Sequence, residues 1–94
     1  MIKIHYTSHL ELRLSIRKIP FDYPRRIYQN PDQRFMDVLE NKEIAIKKLM
    51  YNRKLRNMMV AYETKAEFIE IITIHPITDE KIINRAMSGR WLRK

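Results

Sequence analysis

Apolar and polar side chains alternate from Ile2 to Tyr6, which predicts a short strand. Thr7 or Ser8 follows, and a hydroxyl there caps a helix by accepting from an unpaired N–H of the first turn. The next stretch reads two ways. Leu10, Leu12, Leu14 and Ile16 alternate with period two, as in a strand. Wound as a helix, Leu12, Ile16 and Ile19 share one face and Leu10 and Leu14 another. Leu, Arg and Glu favour helix, and no β-branched run opposes it. Periodicity taken alone favours the strand.

Pro20 disfavours helical geometry at Ile19 and so breaks this segment. Asp22 caps a second, short helix, with Pro24 tolerated in its first turn. Ile27 and Tyr28 face the core, and Asn30-Pro31-Asp32 turns the chain. Strand patterns then run through Phe35 to Leu39, Glu43 to Tyr51, Met58 to Glu63 and Glu67 to His75. The last two are the most apolar and are expected centrally. Their connections are too short for a crossover, so antiparallel pairing is expected. Asn52-Arg53-Lys54 forms a turn, without the Asn-Gly pair of a tight hairpin.

Pro76 stops the last strand, and Thr78 caps a final helix with Asp79 and Glu80 in its first turn. Ile77 and Ile82 stand at hydrophobic-staple positions. Ile82, Ile83, Ala86 and Met87 form the apolar stripe. Gly89, the one glycine of the chain, falls where a helix ends in left-handed geometry. Arg90 to Lys94 reads as a basic tail. The predicted fold class is α+β: two N-terminal helices, an antiparallel meander of about four strands, and a C-terminal helix. The 94 residues make one domain, 1–94, without linker or repeat.

Composition narrows the chemistry. A hydrophobic fraction of 45% is that of a globular protein, and no apolar run approaches the ~18 residues that span a bilayer. The opening residues lack a signal-peptide core, and there are no cysteines for disulfides or thiolate metal sites. A cytoplasmic protein with no membrane partner is expected. The formal net charge of +8 points to a polyanionic partner, RNA or another nucleic acid, whose condensed counterions are released by Lys and Arg. The competing reading is a solvated basic surface of the kind seen in thermophile proteins.

The run His9-x3-Arg13-x3-Arg17-x-Ile19, followed after ten residues by Asn30-Pro31, resembles the opening of a family of small uncharacterised prokaryotic domains. These are similar to the BrnT and RelE-type ribonuclease toxins of toxin–antitoxin systems. The late strand Ile71-Ile72-Thr73-Ile74-His75-Pro76 fits the same pattern; Pro24 departs from it, an aliphatic residue being usual there. The resemblance implies a helix over the ambiguous Leu10–Ile16 stretch. It also implies a RelE/BrnT-like fold, a toxin-type endoribonuclease activity and an acidic antitoxin as partner.

A metal-independent ribonuclease needs a base for the 2′-hydroxyl proton, an acid for the leaving oxygen, and positive charge around the phosphate. Histidine, with a free pKa of ~6.5, suits the first two and arginine the third. His9 and Arg13, four apart, stack on one helix face, and Arg17 continues the ridge. His75 closes a strand and is the second candidate acid or base. His9, Arg13 and His75 are therefore the catalytic candidates; His5 is a weaker one. The alternative is a first-turn histidine and a structural one, with Arg13 paired locally. Arg17 joins Lys47, Lys48, Arg53, Lys54 and Arg56 as phosphate contacts, the last five around the predicted hairpin with Tyr51 for stacking on a base. Lysines that merely protect an exposed hairpin explain these equally. Arg85 and Arg90, near Trp91, complete the set, although cations at a helix C-terminus also complement its dipole. No metal-ligand spacing and no cofactor motif is present. Two other readings stand beside the ribonuclease: a nucleic-acid-binding module that cleaves nothing, and a protein-interaction domain, for instance a homodimer through a sheet edge or the methionines.

Overall fold

In the computed structural model, which describes residues 2–94, the first alternating stretch forms strand β1 (Lys3–Tyr6). Thr7 then caps helix α1 (Ser8–Arg17), its hydroxyl accepting from Leu10 N at 3.1 Å. Leu10 and Leu14 are the buried face of α1, while Leu12 and Ile16 are exposed. The helix stops before Pro20 acts. Lys18 turns left-handed, with φ 55°, and Ile19 N donates to Leu14 O at 3.0 Å. That six-to-one bond, with Ile19 buried against the cluster that holds Leu14, is a Schellman closure. Helix α2 (Tyr23–Gln29) carries Pro24 in its first turn. Asp22 stands at its N-cap position without a capping bond and lies 3.9 Å from Arg26 instead.

The strands that follow are β2 (Gln33–Asp37), β3 (Lys42–Tyr51), β4 (Lys54–Thr64) and β5 (Phe68–Pro76). The β3–β4 hairpin closes on Asn52 and Arg53, both with positive φ (54° and 62°), which is the primed turn that matches strand twist. Helix α3 (Asp79–Met87) has Thr78 as N-cap, accepting from Lys81 N at 3.2 Å. Gly89, at φ 84°, follows it. The chain ends in β6 (Trp91–Arg93).

The helix–helix–meander–helix layout with about four strands is overturned. The sheet is mixed and six-stranded, in the order β1-β5-β4-β3-β2-β6. β2 to β5 pair antiparallel in succession, but β1 adds to β5 in parallel, Tyr6 opposite Ile71. The expected basic tail is a strand on the other edge, with Trp91 opposite Asp37. Both departures are pairings between distant parts of the chain, which local periodicity does not encode.

Helices cover both faces of the sheet. α1 and α2 close one core, in which Leu10, Leu14 and Ile27 meet Val60, Tyr62 and Ile71. α3 closes the other, in which Ile77 and Ile82 meet Phe35, Met59 and Trp91. One irregularity sets the faces of β5. Tyr62 pairs with Ile71 and Ala61 with Thr73, so Ile72 is an extra residue in that strand. After this bulge Ile74 lies in the α1–α2 core. His75, opposite Met59, is on the α3 side. No described helix is long and apolar enough to cross a membrane.

Candidate nucleic-acid interface

β1 pairs only with Phe68–Ile71, and α1 takes over alongside β5 where β1 ends. Thr7 makes the junction: its N–H donates to Ile71 O at 3.2 Å and its hydroxyl to Ile72 O at 3.3 Å. The α1 ridge is thereby held next to the C-terminal half of β5. His9 is exposed in the first turn, with Nε2 3.4 Å from an Arg13 terminal nitrogen. His9, Leu12, Arg13, Ile16 and Arg17 line one groove of about 190 Å³. Arg13 is half-buried, and its Nε is fully buried without a hydrogen-bond partner. A buried guanidinium N–H without an acceptor is costly, and being buried it is not itself open to a ligand.

His75 is half-buried on the α3 side of β5. Its Nδ1 lies 3.1 Å from Pro76 O. A carbonyl only accepts, so Nδ1 carries the proton and Nε2 keeps its lone pair. Burial is the main cause that holds the His75 pKa below the ordinary histidine value. The bond to Pro76 opposes this, while the charges of Arg13, Arg85 and Arg17 lower it further. His75 is therefore neutral at pH 7 and sits within the field of three arginines. Arg85 reaches the same place from α3, lining with His75 a cavity of about 330 Å³ and stacking over the Trp91 ring at 5.1 Å. Among the described residues, none of Arg13, Arg17 and Arg85 is paired with a carboxylate.

The two candidate histidines line separate cavities; Arg13 contacts His9, and its charge is one of the lesser causes that lower the His75 pKa. His5 is exposed on β1, edge-on to Phe68 at 6.1 Å, outside this arrangement. The other candidates divide. Lys48, Arg53 and Lys54 are exposed at the hairpin. Lys47 lies 3.9 Å from Asp32, and Arg56 Nε donates to Tyr51 O at 2.9 Å. The Tyr51 hydroxyl donates to Arg17 O at 2.9 Å, so this ring ties the hairpin to α1. Arg90 is taken up by Asp37, through Nε at 3.1 and 3.2 Å and a terminal nitrogen at 3.0 Å.

Asp37 is the structural knot of this side. It is buried, and accepts also from Leu39 N, Glu40 N and Trp91 Nε1. Burial by itself would raise its pKa, but the bonds from Arg90, Glu40 and Trp91 together with the Arg90 charge hold it below the usual carboxylate range. Nothing in the sequence singles out Asp37, because a lone Asp at a strand end carries no signal until Arg90 and Trp91 are folded onto it. Lys81, which lines a further cavity beside α3, is silent in the sequence for a similar reason. Among the described residues no group of three or more His, Cys, Asp or Glu converges as metal ligands. Comparison with protein-family models, with curated proteins and with solved structures finds no match.

Proposed function

We propose that this protein binds RNA across α1, β5 and α3 and cleaves it without a metal ion, by attack of a 2′-hydroxyl on the adjacent phosphate. One observation carries the reading: half-buried His75 lines one cavity with Arg85, and Arg85, like Arg13 and Arg17 on α1, is not paired with a carboxylate among the described residues. Cationic forks next to a neutral imidazole are what a phosphodiester and its 2′-hydroxyl require. His75 Nε2 takes the 2′-hydroxyl proton. O2′ then bonds to phosphorus, and the P–O5′ bond breaks to leave a cyclic phosphate. His9 gives a proton to O5′, and the Arg13 guanidinium beside it holds the charge that develops on the phosphate. The relationship to BrnT and RelE-type toxins belongs to this proposal and supplies its reaction class.

The second reading, binding without cleavage, is favoured by the separate cavities of His9 and His75. A denaturing gel of a mixed RNA pool, run without added metal, decides between the two. Discrete products from the parent are expected, reduced by roughly 10²–10⁴-fold in His75→Ala and in His9→Ala, the usual worth of one general acid or base. Intact RNA with the parent removes cleavage. A gel shift in the same samples then shows whether binding alone remains.

A further inference from the structure

Beside the His75 site lies a cavity of about 380 Å³, between the start of β4 and the first turn of α3, lined by Lys54, Arg56 and Lys81 among others. No carboxylate neutralises these three cations among the described residues. Asp79, the acidic side chain of that wall, accepts from Asn57 Nδ2 at 2.6 Å and keeps its negative charge, which the three cations outnumber. The Lys81 amide at this helix end is taken by Thr78, so side-chain charge and not the helix terminus makes the cavity basic. The two cavities are joined along two elements. His75 and Pro76 are neighbours on β5, one lining each cavity. On α3, Lys81 lines this cavity and Arg85 the other. They are four residues apart on one helix face, so about 6 Å along the axis. That is of the order of the separation of successive phosphates in a nucleic-acid strand.

We infer that this cavity is a second phosphate subsite, and that one RNA strand runs along α3 from the His75 site to Lys81, Lys54 and Arg56. The inference rests on the RNA reading above. It adds the direction of the strand and a footprint longer than the dinucleotide that is cleaved. Lys81 is the residue that defines it, because it alone extends the Arg85 ridge into the cavity.

The test compares the parent with Lys81→Gln, an exposed substitution whose folding is checked by circular dichroism. Two probes are used: a dinucleotide, which reaches only the His75 site, and a single-stranded RNA of about ten nucleotides. The salt dependence of binding is measured for the longer probe. On a single strand, every phosphate that the protein neutralises adds about 0.7 to the steepness of log K against log salt. The inference expects the variant to be shallower by about that amount with the longer probe, and both proteins to cleave the dinucleotide equally. Lys81→Glu is expected to lower affinity for the longer probe further. Equal slopes for parent and variant overturn the second subsite while leaving the His75 site standing. A parent that neither binds nor cleaves either probe overturns both proposals together.

Discussion

At the residue scale, the decisive feature is the protonation of His75. Its pKa is depressed, so the folded state resists the proton that a free histidine takes up near pH 6.5. Below that pH the unfolded chain binds the proton first and gains stability, so His75 makes folding less favourable as pH falls from about 6.5 toward its folded pKa. Removing a neighbouring positive charge relaxes the depression. Arg85→Gln and Arg13→Gln are each expected to raise the His75 pKa, read by the pH dependence of its imidazole resonances. An unchanged titration in both variants would show that the arginines do not act on this ring. Asp37 titrates the other way. Its contribution is complete above about pH 3.9, where a free Asp ionises, and is lost as pH falls through the lower folded value. Asp37→Ala leaves Arg90 and the buried Trp91 N–H without their acceptor. We expect a loss of roughly 3 kcal/mol by chemical denaturation, the low end for a broken buried pair because the Arg90 side chain is 30% exposed.

At the scale of elements, local chemistry decides where helices and turns close. Thr7 and Thr78 are caps by virtue of a hydroxyl before a helical run, and both make that bond. Pro20 is placed to end α1, yet Lys18 ends it two residues earlier in left-handed geometry. The reason is that Ile19, one residue on, gains burial by folding back toward Leu14. Left-handed geometry costs a residue with a Cβ roughly 1–2 kcal/mol, part of which glycine recovers. Lys18→Gly and Arg53→Gly are each expected to raise stability by about 0.5–1 kcal/mol, measured as a shifted denaturation midpoint at constant slope. In the ambiguous stretch, helix decides which leucines are inside. Leu10 and Leu14 are buried at 0% and 4%, while Leu12 and Ile16 stay 59% and 69% exposed beside Arg13 and Arg17. A strand would have placed all four on one side.

At the scale of the whole molecule, two terminal strands that pair over long separations complete the sheet. β6 is the clearer case: Trp91 is 2% exposed and packs on Phe35 with centroids 5.2 Å apart. Trp91→Ala is expected to cost about 3–5 kcal/mol, the usual loss for a buried aromatic. A change below about 1 kcal/mol would mean that β6 frays from the sheet. The charge of +8 belongs to this scale too, because it is the sum over a surface and not a property of one site. Its distribution matters more than its size. Arg90 and Lys47 face carboxylates, whereas Arg13, Arg17, Arg85, Lys54 and Lys81 carry no such partner among the described residues and flank β5 and α3.

By itself the sequence determined what depends on neighbours along the chain. The capping hydroxyls, the Ile77–Ile82 staple, the apolar strand runs and the His9–Arg13 spacing all act within a few residues, where composition and periodicity are enough. The tertiary structure decided what depends on distant partners. It joined β1 to β5 in parallel and drew the last residues into the sheet on Asp37. It also set the side of His75. Strict alternation from Ile71 puts Thr73 and His75 on the α1–α2 face. The one-residue bulge at Ile72, seen only when β5 is laid against β4, moves His75 to the α3 side and beside Arg85. A single extra residue in a pairing leaves no mark on the sequence, because register is fixed by the packing of both strands.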